Sequence, residues 1–128
     1  MGRYYSGDIE GKFWFAVQPS NDASFFGGQE SEPKSEPNYI NYYFNTDNLQ
    51  SIKDGIKQCK KELDDNLKKI NIFFKKRKTY NDKQLSEALE VNEDKTKILL
   101  EWYARLELGK KILKCVKEKG ECYFEAEL

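Results

Sequence analysis

Histidine is absent from this 128-residue chain. The commonest general base at neutral pH is therefore missing, and so is the usual nitrogen ligand of zinc. The three cysteines, Cys59, Cys115 and Cys122, are odd in number, unevenly spaced and include no CxxC pair. That pattern argues against a zinc site and against a secreted disulfide framework. No apolar run approaches 18 residues and no secretory leader opens the chain, so a cytoplasmic protein without a membrane span is expected. Met1-Gly2-Arg3-Tyr4-Tyr5-Ser6 fits a myristoylation pattern formally, but a basic residue and two rings after the glycine suit that signal poorly. GxSxG, P-loop, GxGxxG and HExxH motifs are all lacking. An excess of charge of one sign is lacking too, with 22 basic against 22 acidic residues, so no global field favours nucleic acid or an anionic surface. The expectation is a protein that is not an enzyme and needs neither metal nor cofactor. A carboxylate-only hydrolase using Asp8 with Glu10, or Glu125 with Glu127, is the alternative. Turn polarity in the first pair and the solvated face of a strand in the second explain those residues better.

Aromatic residues, in contrast, are plentiful: 8 Tyr, 8 Phe and 2 Trp. Large rings supply much core area per residue, and a chain of this length suits one domain with one core. The first eighteen residues read as a β-hairpin, with Arg3 to Ser6 as one strand, glycines at the turn, and Lys12 to Gln18 as the second. Asn21 to Gly27 suggests one helical turn closed by glycine. Loop 27–37 is polar and proline-punctuated and is expected to be mobile. A third strand follows at Tyr39 to Phe44.

From Thr46 or Asp47 the apolar period changes to three and four, through Leu49, Ile52, Ile56, Cys59, Leu63, Leu67, Ile70, Phe73 and Phe74. This spacing predicts one long amphipathic helix of roughly 30 residues. A short helix is expected from Asn81 to Glu90. Another long helix is expected from an Asn92 cap to Lys119, stopped by Gly120. Glu121 to Leu128 alternates cleanly as a fourth strand. The fold class is α+β: a four-stranded, mainly antiparallel sheet covered by a long antiparallel helical hairpin. It forms a single domain over 1–128, with strands and loop in 1–45, the helical hairpin in 46–119 and the last strand in 121–128. The hairpin stripe packs within the chain, with homodimerisation through it as the alternative.

Two surfaces are candidates for binding. Arg3, Tyr5, Trp14, Tyr42 and Tyr43 lie in an amino-terminal half rich in rings, with Tyr4, Phe25, Phe26 and Tyr39 nearby. Rings with arginine and amide groups suit stacking of a planar, nucleotide-like molecule, or a protein hot spot; core packing is the competing explanation. Residues 57–83 carry 10 basic and 4 acidic groups, and Lys75, Lys76, Arg77 and Lys78 form a run that could contact phosphates. Lysines also suit the negative end of a helix, so that run needs no partner to explain it.

Gly2 to Phe15 (GRYYSGDIEGKFWF), Trp102 to Leu106 (WYARL) and Cys122 to Leu128 (CYFEAEL) together resemble a set of small proteins encoded by large DNA viruses and bacteriophages. The resemblance spans most of the chain and brings no catalytic residues with it. It implies an accessory protein that counteracts host defence by binding, either sequestering a nucleotide-type signal or blocking a host defence protein.

Overall fold

Alternating apolar and polar residues decide which side of each strand turns inward. The computed structural model describes residues 3–14, 18–31, 39–76 and 82–127. Five antiparallel strands form one sheet: β1 (Tyr4–Gly7), β2 (Gly11–Lys12), β3 (Gln29–Ser31), β4 (Tyr39–Asn45) and β5 (Glu121–Glu127), in the order β2-β1-β5-β4-β3. The last strand is thus the central one, with Tyr5 of β1 opposite its Ala126 and Tyr42 of β4 opposite its Phe124. Tyr5, Ile40, Tyr42, Phe44, Cys122, Phe124 and Ala126 are buried on one side.

Four helices form: α1 (Leu49–Leu63), α2 (Asn66–Lys76), α3 (Asp82–Leu89) and α4 (Glu93–Lys119). Helix α1 starts after a 3₁₀ turn at Thr46–Asn48 that Asn45 caps, not from a Thr46 or Asp47 cap. The Asn92 side chain accepts from the Lys95 N–H at 2.8 Å, and Gly120 closes α4 in the left-handed region at φ 81°. Asn45 faces Glu121 across the sheet, so α1 begins beside the end of α4 and the two pack antiparallel. Ile52, Ile56, Cys59 and Leu63 of the α1 stripe are buried inside the single chain. The class is therefore α+β, with an antiparallel sheet covered by a helical hairpin.

The structure corrects three details. The single long helix expected after Thr46 is two helices, because Asp64 takes φ 48° and ψ −130° and breaks it. Asp64, Asp65 and Asn66 are poor interior residues that favour helix ends. Lys60 and Lys61 suit the end of α1 and the two aspartates suit the start of α2. Secondly, the strand expected over Lys12 to Gln18 is described as strand only to Lys12. The Gln18 N–H donates to the Trp14 carbonyl at 2.9 Å, a turn-like bond that a strand does not make; residues 15–17 lie outside the described set. Thirdly, loop 27–37 begins as a strand, since β3 pairs with β4 from Gln29 opposite Tyr43 to Ser31 opposite Asn41. Backbone pairing with β4 builds this edge, which the side-chain pattern does not reveal. Residues 32–37 of that loop lie outside the described set.

A 3₁₀ turn at Asp22–Phe26 locks the helices together. Phe26 is fully buried against α1 and α4 where each carries a glycine. A methyl group at Gly55 would lie 2.6 Å from the ring, and one at Gly109 would lie 2.5 Å from it. Both helices accept the usual cost of an interior glycine so that the ring fits between them. Replacing Gly109 with alanine is expected to destabilise the protein by about 1–3 kcal/mol through overpacking, although alanine is the better helix former. Chemical denaturation should show this loss, and Phe26→Leu should offset part of it when combined with Gly109→Ala.

Candidate functional site

Because β1, β4 and β5 alternate, every inward side chain leaves its neighbour on the uncovered side. Tyr4, Tyr39, Tyr43 and Tyr123 stand there, with Asn41, Glu121, Glu125 and Glu127 among them. Register sets the rows: Tyr39 opposite Glu127, Asn41 opposite Glu125, Tyr43 opposite Tyr123, and Asn45 opposite Glu121. At about 3.4 Å per residue, β4 extends this face for about 20 Å. Tyr4 is 52% exposed and Tyr123 45%.

Acceptors dominate the face. Tyr43 donates its hydroxyl to Glu121 Oε2 at 3.0 Å, and that bond holds its phenol above the ordinary tyrosine range. Its proton is thereby committed and its oxygen is left as an acceptor. Asn41 Oδ1 is buried and has no hydrogen-bond partner among the described residues. Glu125 and Glu127 make no ion pair within 4 Å among the described residues. They project from the same side two residues apart, so each feels the other's charge at about 7 Å, roughly 0.6 kcal/mol in water-like screening. At the margin, the Lys12 ammonium lies 5.8 Å from the centre of the Tyr4 ring. Chemically the face offers rings and oxygens to a cation or an N–H donor.

Neither a family model, nor a curated protein, nor a solved structure matches the chain. The chemistry of the face therefore rests on its own residues.

The five residues expected to form an aromatic site do not meet. Tyr5 and Tyr42 are core residues on the covered side, with Tyr5 Oη accepting from Lys111 Nζ at 2.8 Å and Tyr42 Oη bonded to Ser24 Oγ at 3.1 Å. Trp14 is half-buried and packs edge-on against Phe74 of α2 and Tyr103 of α4, at 5.6 and 5.9 Å. Arg3 ties down the turn before Asp22, bonding Ser20 Oγ at 2.7 Å and the Gln18 carbonyl. Tyr43 alone of the five stands on the open face. Tyr123 escaped the aromatic grouping because it lies eighty residues from its neighbour; its alternation with Cys122 and Phe124 was the signal available.

The basic run divides likewise. Lys75 and Lys76 are exposed at the end of α2, while Arg77 and Lys78 lie outside the described residues. Of the carboxylate pairs, Asp8 and Glu10 border a recess of about 250 Å³ with Lys111 and Lys119. Asp8 already accepts from the Tyr123 N–H at 2.9 Å and faces Lys119 at 3.8 Å. Among the described residues no cluster of three or more acids or cysteines is placed to hold a metal ion, and no helix is long and apolar enough to cross a membrane.

Arg105 was not anticipated, and it anchors the whole covered side. Its Nε donates to Asp22 Oδ1 at 2.7 Å and its Nη2 to Glu101 at 3.1 Å, while Phe25 and Trp102 flank the guanidinium at 4.9 and 4.6 Å. Gln18 completes Asp22 through a 2.8 Å bond to Oδ2. Burial pulls the Arg105 pKa down, but Asp22 and Glu101 outweigh it and hold the group above its ordinary value. A charged arginine one turn before Gly109, between the apolar Trp102, Ala104, Leu106 and Leu108, was the sequence signal. Removing one partner leaves a buried charge, so Asp22→Ala or Arg105→Met should each cost about 3 kcal/mol or more. The double variant should lose less than the sum of the two when all are compared by denaturation.

Proposed function

We propose that this is a non-enzymatic binding protein whose open sheet face holds a cationic segment of a protein partner. The observation that supports it is the set of acceptors on that face: four tyrosines, three glutamates and the Asn41 oxygen, which has no hydrogen-bond partner among the described residues, with Lys12 at the margin. An extended segment with lysine or arginine at alternate positions would present its charges to one side, in step with the rows of β4 and β5. Each ammonium or guanidinium would sit against tyrosine faces and relieve the repulsion between Glu125 and Glu127.

Of the two modes that the viral resemblance implies, this chemistry suits blockade of a host defence protein better than capture of a nucleotide. Glutamates at alternate positions repel phosphates, and the rings once grouped for stacking are divided between core and surface. A second reading, contact with nucleic acid, keeps some support from Lys68, Lys69, Lys75 and Lys76, which are exposed on α2 and make no ion pair within 4 Å among the described residues.

Calorimetric titration separates these readings. A synthetic peptide with lysine at alternate positions is expected to bind, more weakly as salt rises. Glu125→Lys with Glu127→Lys should weaken it by about tenfold or more, near 1.4 kcal/mol, whereas Lys75→Glu with Lys76→Glu should not. Equal affinity for wild type and the glutamate variant would remove the proposal. Tight binding of a DNA duplex that is lost on changing Lys75 and Lys76 would promote the second reading instead.

A further inference from the structure

The end of α4 and the start of β5 place two thiols together, away from the open face. Cys115 lies on the last turns of α4 and Cys122 on the second residue of β5, joined through the left-handed Gly120. Both are buried and unoxidised. Cys115 Sγ donates at 3.4 Å to the carbonyl of Glu121, the residue just before Cys122, and the Cys115 thiol acts on the Cys122 thiol electrostatically. Cys115 is itself only 5% exposed but lines the 250 Å³ recess at the β1–β2 turn, which is the route a small reagent would take to it. Cys122 is fully buried behind it. Three ammonium groups, Lys111, Lys114 and Lys119, and three carboxylates, Asp8, Glu10 and Glu118, complete the recess. With Ile9 also in its lining, the recess is electrically balanced and suited to a small molecule that carries both kinds of charge.

We propose that Cys115 and Cys122 form a paired-thiol modification site, where Cys115 is attacked through the recess by exchange with a small disulfide and Cys122 closes an intramolecular disulfide. With oxidised glutathione as that disulfide, the Cys115 thiolate attacks one glutathione sulfur, the S–S bond breaks and one glutathione thiolate leaves. The Cys122 thiolate then attacks Cys115 Sγ, expelling the second glutathione. Both leaving thiolates take up the protons that the two cysteines gave, so two protein thiols are oxidised as one disulfide is reduced to two thiols. Burial and the neighbouring Cys115 push the Cys122 thiol well above its ordinary pKa, so its thiolate is scarce and the closing step quickens as pH rises. Cys59 is the internal control. It is fully buried in the α1 interface and is not among the residues that line the recess.

The test exposes the reduced, full-length protein to oxidised glutathione and follows intact mass and peptide maps without reducing agent. The expected product lacks two hydrogens, contains a Cys115–Cys122 linkage and retains the Cys59 thiol. Cys122→Ser should stop at a glutathione adduct on Cys115, and Cys115→Ser should leave Cys122 unmodified. The wild-type measurement stands even if a serine variant fails to fold. Unchanged thiols at both positions, or oxidation of Cys59 as fast as the pair, would overturn the proposal.

Discussion

Phe26 occupies the point where α1 and α4 each give up a side chain. With Gly55 below it and Gly109 beside it, the ring fills the space that two larger residues would have contested. Helix packing at such a crossing depends on which groups stand at the contact. Here the contact is set by a residue from neither helix. The 3₁₀ turn that carries Phe26 must therefore be held in place, and two arginines do this from opposite sides. Arg3 fixes the chain at Gln18 and Ser20, and Arg105 fixes it at Asp22. With only three arginines in a lysine-rich chain, two of them serve this one segment. The planar guanidinium explains the choice, because it stacks on rings and bonds in a fork where an ammonium cannot.

This clamp has a consequence on the far side of the sheet. Once the helices are seated, Tyr42, Phe44 and Phe124 are committed to the covered face, and the period of two commits Tyr43, Tyr123 and the glutamates to the other. A slip of one residue in β5 would put three glutamates into the core. The composition of the open face is thus tied to the core by the pleat itself. Its side chains differ in kind from a merely solvated surface: four large rings stand exposed or half-exposed beside Glu125 and Glu127, which make no ion pair within 4 Å among the described residues, with Lys12 at the margin against Tyr4.

Much of the fold was legible in the chain. The Asn92 cap, the Gly120 stop and the alternation through Glu121 to Glu127 each carry a local physical rule, and each element forms where its rule applies. The long-range features were not legible in the same way. Asp64 breaks the helix although the apolar period runs on through Leu63, Leu67 and Ile70, because the period reports which face is buried and not whether the backbone is continuous. An interior glycine such as Gly55 is ordinarily a cost to its helix, and its meaning here is supplied by Phe26, twenty-nine residues earlier. For the site, residue types were read more successfully than partners. Tyr42 and Tyr43 were grouped as rings of one aromatic-rich region, yet adjacency in a strand places them on opposite faces. Tyr123 joined the site only through register.

The most direct test of the open face is a nuclear magnetic resonance titration with a short peptide bearing arginine at alternate positions. The account predicts that the amides and ring signals of Tyr4, Tyr39, Tyr43, Tyr123 and Glu125 shift together along one binding curve, while those of Tyr5, Tyr42 and the α1 and α2 lysines stay put. Shifts centred on the helices, or none at concentrations where a glutamate-rich peptide behaves identically, would contradict it.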